Sequence, residues 1–136
     1  MYGFTTTLSG LPFEDVRIRV IDALKAEGFG VLSEIDVQKA MHEKLGAAMP
    51  PYRILGPCNP PLAHQALEAE PDIGLLLPCN VTVRETTDGS IVVGFLDPQV
   101  MVTVVDRPGI EAVADAAHFR LRRACASLGG TPTTSV

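Results

Sequence analysis

Apolar residues at Phe13, Val16, Val20, Ile21 and Leu24 recur every three or four positions, while Glu14, Asp15, Arg17, Asp22 and Lys25 stay off that stripe. This spacing predicts an amphipathic helix. Pro12 opens it, where a missing N–H costs nothing, and Gly28 sits where a helix end takes a left-handed residue. A second stripe runs through Ile110, Val113, Ala114, Ala117, Leu121, Ala124, Cys125 and Leu128. It predicts a long final helix that begins at Pro108 and stops at Gly129-Gly130.

Between these helices the period shortens to two. Phe4, Thr6 and Leu8 share one face of a first strand. Phe29, Val31, Ser33, Ile35 and Val37 alternate with Gly30, Leu32, Glu34 and Asp36, which predicts a second strand and puts Glu34 and Asp36 on its polar face. A short helix is expected over Gln38 to Leu45, and a strand from Tyr52 into Cys58. Asn59 as N-cap and Pro60 at the first helical position start another helix that reaches about Ala69. Val81 and Val83, the Asp88-Gly89 turn, and Ile91, Val93 and Phe95 form a hairpin.

Residues 99–105 fit a helical turn after Asp97-Pro98 and fit a strand equally well, because Val100, Val102, Val104 and Val105 are β-branched. The order strand, helix, strand, strand, helix, strand, strand, helix describes an α+β fold. It implies an antiparallel sheet of about four to five strands with helices packed on one face. One domain is expected over residues 1–130, followed by a flexible tail over 131–136.

Composition narrows the function classes. Hydrophobic residues make up 46% and charged residues 20% of the 136, enough apolar material for a real core. A net charge of −5 argues against a nucleic-acid surface, which needs clustered cations. The one basic cluster, Arg120, Arg122 and Arg123, reads as a solvated face near a helix C-terminus. The three cysteines lack C-x-x-C spacing, so a reducing, cytoplasmic setting is expected. The N-terminal residues lack the pattern of a signal peptide, and no apolar run has the length of a membrane span. Phosphate-loop, zinc-protease and serine-hydrolase signatures do not occur.

One constellation carries chemical interest. The tripeptide Pro-Cys-Asn occurs at Pro57-Cys58-Asn59 and again at Pro78-Cys79-Asn80. If the strands beside them pair antiparallel, both cysteines lie at one end of the sheet, with His64 on the helix between. Cys58 would then sit beside a helix N-terminus, where unpaired N–H groups and the dipole favour a thiolate. Cys79 precedes a strand and has no comparable dipole. Cys58, Cys79 and His64 suit a redox or sulfur-transfer site, or an incomplete soft-metal site. Against this stands a plainer reading, in which Pro-Cys-Asn is a strand-end and capping device and cysteine is buried for its size. Cys125 lies on an apolar stripe and reads as core. His42 and His118 have no patterned partner and read as surface residues. Nothing in the pattern raises the pKa of Glu34 or Asp36 for acid–base work. No complete metal site and no cofactor can be specified from these spacings.

The stretch Ile54-Leu55-Gly56-Pro57-Cys58-Asn59-Pro60, followed by Pro71-Asp72-Ile73-Gly74-Leu75-Leu76-Leu77-Pro78-Cys79-Asn80-Val81, resembles the domain of unknown function 302 family. So does Gly28-Phe29-Gly30-Val31-Leu32-Ser33-Glu34-Ile35-Asp36-Val37. The resemblance covers Tyr2 to about Leu128. It implies a small α+β fold and a homodimer, and it marks Cys58, Asn59, Pro60, Pro78 and Cys79 as pattern residues without assigning a reaction. Two function classes follow. One is a small-molecule or thiol-dependent module using Cys58 and Cys79, and the other is a non-catalytic dimeric binding or regulatory domain.

Overall fold

The computed structural model describes residues 1–133 and 136. Its elements are β1 (Gly3–Leu8), α1 (Phe13–Ala26), β2 (Gly30–Asp36), α2 (Val37–Leu45), β3 (Tyr52–Cys58) and α3 (Pro60–Ala69), then a 3₁₀ turn over Pro71–Leu76. After it come β4 (Val81–Glu85), β5 (Ile91–Leu96), α4 (Val100–Val104), α5 (Ile110–Ser127) and β6 (Thr131–Thr133). The strands form one six-stranded antiparallel sheet in the order β2-β3-β4-β5-β1-β6. This is the expected α+β fold, with one strand more than expected.

Alternation sets the two sheet faces. Phe4 and Leu8 of β1, Val81 and Val83 of β4, and Ile91, Val93 and Phe95 of β5 are buried on one face. Against it pack Val16, Val20 and Leu24 of α1 and the apolar stripe of α5 from Ile110 to Cys125. Burying such side chains drives the two helices onto the sheet. The opposite face carries the row Ile35, Ile54, Thr82, Gly94 and Thr5, aligned by the strand register. Asn59 caps α3 as its residue type requires, its Oδ1 accepting the Leu62 N–H.

Three local expectations change, and one left open is decided. In β2 the register slips between Val31 and Ser33, a bulge at Leu32. One extra residue reverses every side chain that follows it. Glu34 and Asp36 therefore share the helix-facing side with Leu55, and Ile35 is turned outward. Residues 99–105 are settled as helical over Val100–Val104, because Asp97 Oδ1 accepts the Gln99 N–H at 3.0 Å and Met101 drops into the core. Residues 131–133, expected within a flexible tail, instead pair with β1 as an edge strand, where Pro132 needs no ladder N–H. Thr134 and Ser135 of that tail lie outside the described residues. Finally, α5 begins two residues after Pro108, because Gly109 takes the left-handed φ of 94° as its N-cap.

Candidate functional site

The two Pro-Cys pairs, Pro57-Cys58 and Pro78-Cys79, line one cavity. Antiparallel pairing of β3 and β4, with Leu55 opposite Val81, brings the end of β3 beside the approach to β4. A cavity of about 380 Å³ opens there between the sheet end and α3. Cys58, Asn59 and Cys79 line it, together with Leu62 and Ala66 of α3 and Met101 of α4. Leu32 and Leu67 are exposed members of the same wall. No charged side chain lines the cavity.

Its two cysteines differ. Cys79 is 8% exposed, and burial first and the negative charge of Asp97 second push its thiol up to about 11. At neutral pH it is a thiol and not a nucleophile. Cys58 is half-buried at the end of β3. The helix that follows does not supply the donors that the sequence reading placed there. Pro60 and Pro61 have no N–H, the Leu62 N–H is bound by Asn59 Oδ1, and the Ala63 N–H is bound by the Asn59 carbonyl at 2.9 Å. The N-terminus of α3 is capped shut beside the sulfur.

His64 is not part of this arrangement. It stands on the outer side of α3, 75% exposed, with Nδ1 2.9 Å from Glu68 one turn on. Among the described residues no three His, Cys, Asp or Glu side chains gather as a metal ion would need. A Cys, Cys, His trio is therefore not assembled.

The charged neighbour of the buried thiol, Asp97, has its own partner in His118, which the sequence pattern leaves on the surface. From α5 its Nδ1 lies 2.9 Å from Asp97 Oδ1, and its ring meets Phe4 edge-on. Asp97, at the end of β5, so joins His118 to the field felt by Cys79. The only sequence signal was Asp97-Pro98, which was read as a cap. His42 is exposed and away from the cavity. Cys125 is buried in α5 as expected, and burial raises its thiol.

The charged groups weighed from sequence are committed elsewhere. Arg17 grips Glu34 with two nitrogens, the second at 3.0 Å, and Arg53 bridges Glu34 and Asp36 at 3.1 and 3.3 Å. The Arg17 hydrogen bond holds the Glu34 carboxyl below its ordinary value, the opposite of what a general acid needs. Arg123 pairs with Glu27, Arg120 reaches the Glu27 carbonyl, and Arg122 lies over the Phe4 ring.

Residues 4–128 match the family described as Domain of unknown function DUF302. The chain belongs to the DUF302 family. The match takes in every residue that lines the cavity, from Phe29 to Ala117. The fold is similar to the crystal structure of an uncharacterized conserved DUF302 protein from Bacillus stearothermophilus, with a TM-score of 0.83 and 29% identity. That alignment covers 93% of this chain and 97% of the other. An uncharacterized protein of Aquifex aeolicus (strain VF5) is 30% identical over 90 residues, which is 66% of this chain and 56% of that relative's length. Among the described residues, no helix of this DUF302 chain is long and apolar enough to cross a membrane.

Proposed function

We propose that this DUF302 chain is a small-molecule-binding module whose ligand occupies the cavity at the sheet end, with Cys58 as the thiol at its side. The observation that carries this is the cavity itself. About 380 Å³, walled by Phe29, Leu62, Ala66, Leu77 and Met101 and free of charged side chains, is the size and character of a site for a small apolar ligand. Binding is favoured over dithiol redox chemistry because Cys79, held at about 11, attacks and leaves slowly as a resolving thiol. Three free cysteines accord with a cytoplasmic setting.

Nile red, a neutral dye that brightens in apolar surroundings, tests this reading. We expect saturable brightening with the native protein, and at least about tenfold weaker binding when Ala63→Trp fills the cavity from α3. Circular dichroism checks that the variant stays folded. No saturable binding by the native protein, or equal binding by a folded variant, would remove the proposal.

A homodimer is the second reading, and α2 favours it. That helix buries none of its side chains and leaves Met41 and Leu45 exposed, and the edge strand β2 that leads into it presents Leu32 and Ile35. An exposed edge with apolar neighbours invites pairing. Val100–Val104 is helical and offers no edge for such pairing. Light scattering is expected to return twice the 14.5 kDa chain mass. A monomer mass across a wide concentration range removes this reading.

A further inference from the structure

We infer that the cavity selects uncharged apolar molecules bearing one hydrogen-bond acceptor, such as a ketone or ester carbonyl, and that Asn59 is the residue that reads the acceptor. The inference rests on the binding proposal and names its ligand class.

The argument starts from the cap. Asn59 is 6% exposed and lines the cavity. Its Oδ1 is committed to the Leu62 N–H at 3.3 Å, which fixes the orientation of the amide. The other end of the side chain, Nδ2, carries two donor hydrogens, and among the described residues it meets no acceptor. Nδ2 lies against Gly28, whose φ is 85°, so close that a Cβ there would stand 2.9 Å from it. A glycine thus makes the room that this amide occupies.

A buried donor left without a partner is costly, and native structures avoid it. No fully enclosed side-chain nitrogen or oxygen lacks a partner among the described residues, so Nδ2 keeps an open side. Asn59 lines the cavity, so an acceptor bound there comes within reach of this side chain.

Charge then narrows the ligand. A carboxylate in this cavity would lose its water without gaining a counter-ion, since no cation lines the wall. Asp97 already places a negative charge within reach of Cys79 on the same wall. Arg120 approaches Gly28 from α5 but is turned to the Glu27 carbonyl and does not line the cavity. A neutral acceptor on an apolar body meets both conditions. Ser33, also on the wall, adds a rotatable hydroxyl at the β2 side.

Three naphthalene probes of matched shape test this by displacement of Nile red: 2-acetylnaphthalene, 2-isopropenylnaphthalene and 2-naphthoate. The ketone is expected to bind about tenfold more tightly than the hydrocarbon, the worth of one hydrogen bond, with the carboxylate weakest. Asn59→Asp keeps the oxygen that caps Leu62, removes the donor and adds a negative charge, so the ketone advantage over the hydrocarbon should vanish. Asn59→Gly, a neutral residue tolerated at an N-cap and without a side-chain donor, should give the same loss and so separate the missing donor from the added charge. If no probe displaces the dye and the dye itself does not bind, the binding proposal fails. If ketone and hydrocarbon bind alike, if the carboxylate binds best, or if the ketone advantage survives in both folded variants, this inference fails and the cavity reading stands.

Discussion

Replacing Phe4 by alanine is expected to lower the melting temperature by about 10–15 °C, corresponding to about 3–5 kcal/mol. Phe4 is fully buried near the start of β1. Its ring stacks on Phe95 with centroids 5.3 Å apart, meets His118 edge-on, and carries the Arg122 guanidinium 3.9 Å above its centre. Truncation opens a cavity on three sides at once and removes an aromatic pair worth more than its area. Phe119 is the control. It is 61% exposed on α5, and its ring contact is Arg123 at 4.9 Å. Phe119→Ala should cost less than about 1 kcal/mol. Thermal unfolding followed by circular dichroism separates the two. Equal losses would mean that the β1 face is not where the core sits.

That face was legible in the sequence because Phe4, Thr6 and Leu8 alternate cleanly, and the α1 and α5 stripes were legible for the same reason. Periodicity failed where a single residue broke it. The bulge at Leu32 leaves no mark in residue type, so Glu34 and Asp36 were assigned to the wrong side. The valines of α4 have strand propensity, and what overrides it is one side-chain bond from Asp97 to the chain two residues on. β6 exists only as a partner of β1, a long-range gain that local pattern does not contain.

At the site, the repeated Pro-Cys-Asn did announce that Cys58 and Cys79 share one wall. Two further signals stand in the sequence of α3. Leu62, Ala63, Ala66 and Ala69 mark the inner face of α3, which puts His64 on the other side. The pair Pro60-Pro61 removes the very N–H groups that a thiolate beside the helix would use. The Asp97–His118 pair could not be read, since its members lie 21 positions apart on different elements.

The cysteines should therefore separate by rate when the native protein is alkylated with iodoacetamide and each site is followed by mass spectrometry. Cys58, half-buried on the cavity wall, is expected to be modified first. Cys79 should lag a free cysteine by at least about 300-fold at pH 7. A thiol near 11 has about one thiolate in ten thousand, against about 3% for a free cysteine near 8.5. Burial at 8% exposure slows it further by denying access. Cys125, buried in α5 and also raised, should likewise react more slowly than Cys58.

The pH dependence carries the sign. Through pH 9 the rate at Cys79 should keep rising tenfold per unit, because its thiolate is still scarce there. Serine at position 58 should leave the other two rates unchanged. Unfolding in guanidinium should bring all three together, since the suppression belongs to the folded state. Saturating 2-acetylnaphthalene should also slow Cys58 by occupying the space beside it. If Cys79 reacts as fast as Cys58 in the native protein, burial and Asp97 are not suppressing it, and a dithiol site becomes the better account of the repeated tripeptide. If the slow rates hold but the ligand leaves Cys58 unprotected, the thiol lies outside the bound ligand's reach and the cavity binds without it.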